Sequence, residues 1–157
     1  MIPSRSWRKI IVSAKKKSRK LSGSNSGALP EAPLLFVDRC AWSRRLDEAL
    51  RNASIPFIAH HERFADDLPD EDWLGVAGTK GWIVITRDKN IRRKPNEIKA
   101  YRDNNVIAFV LASGNASAED TARLVVELYP KMLRMARSST PPAMFSVTLA
   151  GGITPVR

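Results

Sequence analysis

The chain is expected to fold as an α/β domain: a mostly parallel sheet with helices on both faces, finished by a β-hairpin. Three observations lead there. Apolar runs at Leu34–Val37, Ile55–Ala59, Trp82–Ile85 and Val106–Leu111 alternate with helical patterns between residues 34 and 137. Those runs are apolar throughout rather than at every second residue, as strands buried on both faces require. Past residue 140 the alternation stops, and Met144–Leu149, a turn at Gly151-Gly152 and Ile153–Val156 read as a hairpin.

With 157 residues the chain has room for one well-cored domain and not for two. Its formal charge of +10 points to a polyanionic partner, nucleic acid before anionic membrane. Residues 1–33 hold eight Lys/Arg against one acid, and residues 34–157 hold eighteen against fifteen. Most of the basicity therefore lies in a Ser/Gly-rich segment too polar to order itself, so residues 1–33 read as a basic, disordered tail and 34–157 as the domain. Trp7, Ile10, Ile11 and Ala14 lie at helical spacing within that tail. A single cysteine, Cys40, excludes an internal disulfide and any multi-cysteine zinc site, and fits a reducing compartment, taken as the cytoplasm. No apolar run approaches the length that spans a bilayer, so no membrane is expected.

Each element has its own signal. Leu34–Val37 ends on Asp38, and Trp42, Leu46, Ala49, Leu50 and Ala53 then form a helical stripe. Pro56 marks the next run as an edge strand or a strand start. Residues 60–68 read as a loop containing His60 and His61. Pro69 opens a helix whose first turn is Asp70-Glu71-Asp72, with Gly78 as its stop. Pro95 opens another over 95–103, stopped by Asn104-Asn105. Ser117 begins the longest helix with a capping-box pattern, and Pro130 is expected to kink or divide it.

Function rests on the acids. Asp38 and Asp88 each follow a strand, where an open parallel sheet places its ligand crevice. Asp70, Glu71 and Asp72 open the intervening helix, and a right-handed α/β crossover can bring that end to the same edge. Converging carboxylates repel one another unless a cation shares them. Mg²⁺ or Mn²⁺ suits oxygen donors beside a substrate phosphate, and lowers the pKa of a bound water. The cations Arg87, Lys89, Arg92, Arg93 and Lys94 flank Asp88 and suit a phosphate backbone. Taken singly, Asp38 reads equally as a helix cap and the 70–72 acids as complements of a helix dipole.

The order Leu35-Phe36-Val37-Asp38, Pro69-Asp70-Glu71-Asp72-Trp73-Leu74 and Val84-Ile85-Thr86-Arg87-Asp88-Lys89 resembles the PIN-like nucleases, in the small bacterial branch related to VapC-type toxins. The resemblance covers about residues 34–137, and Thr-Arg-Asp-Lys at a strand end is its most specific part. It implies a three-layer α/β/α fold, cleavage of RNA with Mg²⁺ or Mn²⁺, and an antitoxin protein as partner; a homodimer is a further expectation. It assigns Asp38, Asp70 and Asp88 as metal-binding and catalytic acids, with Glu71 competing for the second place. Thr86, Arg87, Arg92, Arg93 and Lys94 are expected to meet nucleic acid, the cations at phosphates, and Thr86 can also support a ligand or the attacking water by hydrogen bonding. Where many relatives carry a further acid, two residues past the third aspartate, this chain has Asn90.

Two other readings compete. A non-catalytic nucleic-acid-binding module of the same fold is motivated by Asn90 and the basic tail. A receiver-like signalling domain also has acids at strand ends, but it needs a lysine after a later strand, and Leu111 is followed here by Ala112-Ser113-Gly114. Cys40 is expected to be packed rather than reactive. Trp42, Trp73 and Trp82 are expected to serve the core, and His60 and His61, being adjacent, lack ligand spacing.

Overall fold

A computed structural model describes residues 33–88, 93–112 and 116–156. The tail segment 1–32, Lys89, Asn90, Ile91 and Arg92 lie outside the described residues. The elements run β1 (Leu35–Val37), α1 (Arg44–Asn52), β2 (Phe57–Ala59), α2 (His60–Arg63), α3 (Asp70–Lys80), β3 (Ile83–Thr86), α4 (Pro95–Asp103), β4 (Ile107–Leu111), α5 (Ala118–Ser138), β5 (Ala143–Val147) and β6 (Ile153–Pro155).

The six strands form one sheet in the order β2-β1-β3-β4-β5-β6, parallel except for the antiparallel pair β5–β6. Side-chain alternation then sorts the strand residues into two cores. Leu35, Val37, Ile83, Ile85 and Phe109 pack with Leu46 and Leu50 of α1 and with Val125 and Met132 of α5. Phe36, Val84, Ala108 and Val110 face the other way, onto Trp73, Leu74 and Ala77 of α3 and Tyr101 of α4. Helices thus cover both faces, which is why the strands carry no polar stripe. The expected three-layer α/β/α arrangement and terminal hairpin are both present.

Chain order places the site. From β1 the chain crosses to β2 at the sheet edge and then returns to β3 on the other flank of β1. Strand order therefore reverses between β1 and β3, and a crevice opens outside their carboxyl ends. Val37 is paired with Ile85 at that edge. Asp38 and Asp88 follow those two strands.

Several local expectations are corrected. Residues 60–63 form a short helix, not a loop. Trp42 precedes α1 rather than riding on it, because Ser43 is the N-cap and accepts the Leu46 N–H at 3.1 Å. Gly78 does not end α3: the helix runs to Lys80, and Gly81, at φ 70°, supplies the left-handed cap. Gly78 instead admits a neighbour, since a Cβ there would lie 2.0 Å from the Asn104 carbonyl oxygen beyond α4. Pro130 does not divide α5, which remains one element of 21 residues. Val125 and Met132 are buried on either side of the proline, and that packing holds the helix together. At the helix over 95–103 the boundaries match: Pro95 opens α4, Asn104 closes it, and Asn105 takes φ 56°.

Candidate functional site

Asp38 does not cap α1, which starts six residues later at Arg44. It is buried at 5% exposure, and a carboxylate in that position needs donors. Three are present. Its own chain turns so that the Arg39 N–H meets Oδ1 at 2.7 Å. The Thr86 hydroxyl donates to Oδ2 at 2.8 Å and the Cys40 thiol approaches the same oxygen at 3.3 Å.

Thr86 is fully buried, and its oxygen also accepts the Asp88 N–H at 3.1 Å. One hydroxyl therefore ties the carboxylate after β1 to the backbone of the acid after β3. With its hydroxyl enclosed and used at both ends, Thr86 takes the supporting, hydrogen-bonding place that the sequence offered for it. Cys40 differs too. The residue is exposed, yet its Sγ sits 3.3 Å from Thr86 Oγ1 and accepts the Arg87 N–H at 3.3 Å. Burial of the thiol and the adjacent Asp38 charge push it up to about 11, so it stays protonated and unreactive.

Asp70 stands at the first position of α3, with Oδ1 accepting the Trp73 indole N–H at 2.9 Å and an Arg39 guanidinium N–H at 3.2 Å. The spacing of three residues on a helix is what brings Trp73 beneath Asp70. Trp73 is clamped in turn by Phe36, with ring centroids 5.0 Å apart, and by His60 at 6.0 Å. His60, expected in a solvent loop, is fully buried, and neither ring nitrogen has a hydrogen-bond partner among the described residues. Burial, then the Arg39 charge, lowers its pKa, so it acts as a neutral ring among aromatics.

The structure adds an acid that the sequence reading passed over. Glu97 lies in the first turn of α4, and one oxygen each of Asp70, Asp88 and Glu97 fall within 4.8 Å of one another. Asp38 is not one of these three. Asp70 is among the three, and Glu71, its competitor, is not; both line an adjacent cleft. Glu97 is 4% exposed, and its Oε2 has no hydrogen-bond partner among the described residues. Burial, then the hydrogen bond and charge of Asp70, push its carboxyl up to about 7 despite the nearby Lys94. Asp70 moves the other way. Burial alone would raise it, but hydrogen bonds from Glu97 and Trp73 and the charges of Arg39 and Lys94 bring it below the usual value.

Three oxygen donors converging with one of them left bare fit a small hard dication. Oxygens on opposite sides of one Mg²⁺ lie about 4 Å apart at bond lengths of about 2.0–2.1 Å. Beside the triad, an open cleft of about 590 Å³ runs between residues 66–71 and 94–97, with Arg39 at its wall. Arg93 and Lys94 are exposed next to it, and Arg87 is half-buried.

The family model described as "PIN like domain" matches residues 33–113, more than half of the chain and all four of these acids. The chain belongs to the PIN-like domain family. It is also 26% identical over 111 residues to the protein named "Putative ribonuclease VapC45" of Mycobacterium tuberculosis, a match spanning 68% of this chain and 80% of that one. No solved structure matches significantly.

Within this PIN-like domain, Thr86→Val isolates the bridge from the acids it serves. The exchange keeps the shape and removes both hydrogen bonds. A supporting partner of this kind is worth about 10–100-fold in activity or metal affinity. Any nuclease activity or divalent-cation binding of the chain should fall by that range while circular dichroism stays native; unchanged values would mean that Asp38 and Asp88 are oriented by other contacts.

Proposed function

We propose that this chain is a divalent-metal-dependent ribonuclease that hydrolyses RNA phosphodiesters, and the toxin of a toxin–antitoxin pair. The observation that carries the reading is the convergence of Asp70, Asp88 and Glu97, fitted for one cation, at the strand-order reversal. The similarity to a protein named as a ribonuclease supports the choice of RNA. The VapC likeness supports an antitoxin protein as the partner.

Asp70, Asp88 and Glu97 would hold Mg²⁺ or Mn²⁺. Such an ion, when bound, lowers the pKa of a water and neutralises charge developing on the phosphodiester. Asp38, fixed by three donors and linked to Asp88 through Thr86, is the separate carboxylate that orients the attacking water. Arg87, Arg93 and Lys94, with Arg92 beside them in sequence, present positive charge to the RNA backbone. Hydrolysis adds water across a P–O bond, and the leaving oxygen departs with a proton.

The test is cleavage of a single-stranded RNA by the purified chain with EDTA, then with Mg²⁺ or Mn²⁺ restored. Activity should vanish and return; full activity in excess EDTA would overturn the mechanism. The rival reading, a binding module with a weakened metal site, leans on Asn90. Glu97 weighs against it by supplying a further acid from α4. No described helix is long and apolar enough to cross a membrane.

Glu97 sets a pH dependence. Below about 7 its carboxyl keeps a proton that must leave before a cation can bind, so the proton competes with the metal. Affinity for Mg²⁺ should therefore rise as pH increases through 7 and level off above it. Calorimetric titration at pH 6 and pH 8 should show about tenfold tighter binding at the higher pH, the change of roughly one unit in proton occupancy that a group titrating between them gives. In Glu97→Gln that difference should disappear.

A further inference from the structure

Resting on the metal-dependent reading above, we propose that the cleft beside the acid triad is a phosphate subsite opened by the metal. Arg39 and Lys94 serve as counter-ions of the acids until the metal binds, and then turn to an RNA phosphate.

The cleft as it stands is a poor place for a polyanion. Five of its lining side chains are acidic: Asp66, Asp67, Asp70, Glu71 and Glu97. Among the described residues that line it, two are cationic, Arg39 and Lys94. Both cations are already engaged with the triad. Arg39 lies 3.2 Å from Asp70 Oδ1, and Lys94 lies 3.6 Å from Glu97 Oε1. A phosphate entering now would face the excess of acids and would have to draw each cation away from a carboxylate.

A dication among Asp70, Asp88 and Glu97 reverses this balance. It neutralises the same oxygens that hold Arg39 and Lys94, and it repels both groups. Neither is locked in place: their side chains are 40% and 56% exposed, on long flexible stems. Arg39 keeps a second hydrogen bond, to the Asp66 carbonyl on the cleft rim, which holds its guanidinium over the cleft after Asp70 lets go. Two cations then stand unpaired at the mouth. A phosphodiester matches them, with two parallel N–H groups from Arg39 and a point charge from Lys94. Binding is thereby ordered, metal first and RNA second, and Arg39 becomes a substrate contact that the basic run 87–94 does not include.

The test follows the Arg39 Nε–H resonance in the ¹⁵N-labelled full chain, assigned with Arg39→Lys. Mg²⁺ is titrated in first, and then adenosine 5′-monophosphate, which carries a phosphate but no diester to cleave. The Arg39 signal should move on Mg²⁺ addition, and move again with the nucleotide only when Mg²⁺ is present. By calorimetry Arg39→Gln and Lys94→Gln should bind Mg²⁺ several-fold more tightly and the nucleotide several-fold more weakly. If Mg²⁺ binds, as backbone signals around Asp70 and Asp88 would report, but Arg39 stays put, the exchange is overturned and the nuclease reading stands. An equal response to the nucleotide in EDTA also overturns it. So does weaker Mg²⁺ binding in Arg39→Gln, which would make Arg39 a strut for Asp70. Absence of any Mg²⁺ binding overturns both the metal-dependent reading and the exchange built on it.

Discussion

Replacing Asp88 by asparagine is expected to abolish RNA cleavage and leave the fold intact. The exchange keeps the side chain's size and leaves the backbone N–H that meets Thr86 untouched, so the turn after β3 should survive. What disappears is the negative charge on one of three oxygens that converge within 4.8 Å. Loss of even a supporting partner at a metal centre costs about 10–100-fold, so loss of a ligand should cost at least on the order of 100-fold in rate. Single-turnover cleavage with near-wild-type circular dichroism checks this. Wild-type turnover in Asp88→Asn would remove the triad from the chemistry.

The largest effect on stability is expected from Phe36→Ala. Phe36 is fully buried on β1, stacked on Trp82 at 5.3 Å and within 5.0 to 6.0 Å of the Trp73, Phe64 and His60 rings. Large rings of this kind cost about 3–5 kcal/mol when cut to alanine, because the cavity left behind closes only in part. In urea, the unfolding midpoint should fall with little change in slope. The effect reaches the site as well. Trp73 loses a neighbour that holds its ring, and its indole N–H positions Asp70. The surviving folded fraction should therefore bind Mg²⁺ more weakly than wild type. A loss below about 1 kcal/mol would mean that the aromatic cluster repacks around the gap.

The architecture was largely legible because its strands are buried on both faces and so stand out as unbroken apolar runs. Pro56 marked the sheet edge, Pro95 marked the start of α4, and the double glycine marked the hairpin. The failures have local physical causes. His60 looked like a loop residue because it follows a strand and is polar, yet α2 folds it beneath the sheet, where an imidazole serves as an aromatic ring. Gly78 carried the signal of a helix stop, but its missing Cβ is used for close approach to Asn104.

The site was legible by halves. The meeting of Asp70 and Asp88 was readable from their places at a helix start and a strand end, whereas Asp38, expected to join them, lies outside the cluster and is held by its own donors. Glu97 was not readable, because a lone glutamate in a first helical turn is ordinary sequence and reads as a dipole complement. Its one signal was position: Pro95 opens the next helix after the Asp88 strand, so the first-turn acid comes back to the same edge. For Thr86 the motif left both a substrate contact and a supporting hydrogen bond open. Only the sheet shows that a residue at the end of β3, paired with Val110, points its hydroxyl inward to Asp38.

The central claim is that Asp70, Asp88 and Glu97 make one cation site, and equilibrium binding of Mn²⁺ tests it most directly. Free Mn²⁺ is followed by its paramagnetic resonance signal while wild-type protein or Glu97→Gln is added. The account predicts that the wild-type chain depletes free Mn²⁺ with at least one site per chain, and that Glu97→Gln binds at least about tenfold more weakly. Wild-type protein that leaves free Mn²⁺ unchanged, or a Glu97→Gln variant that binds as tightly as wild type, would contradict it.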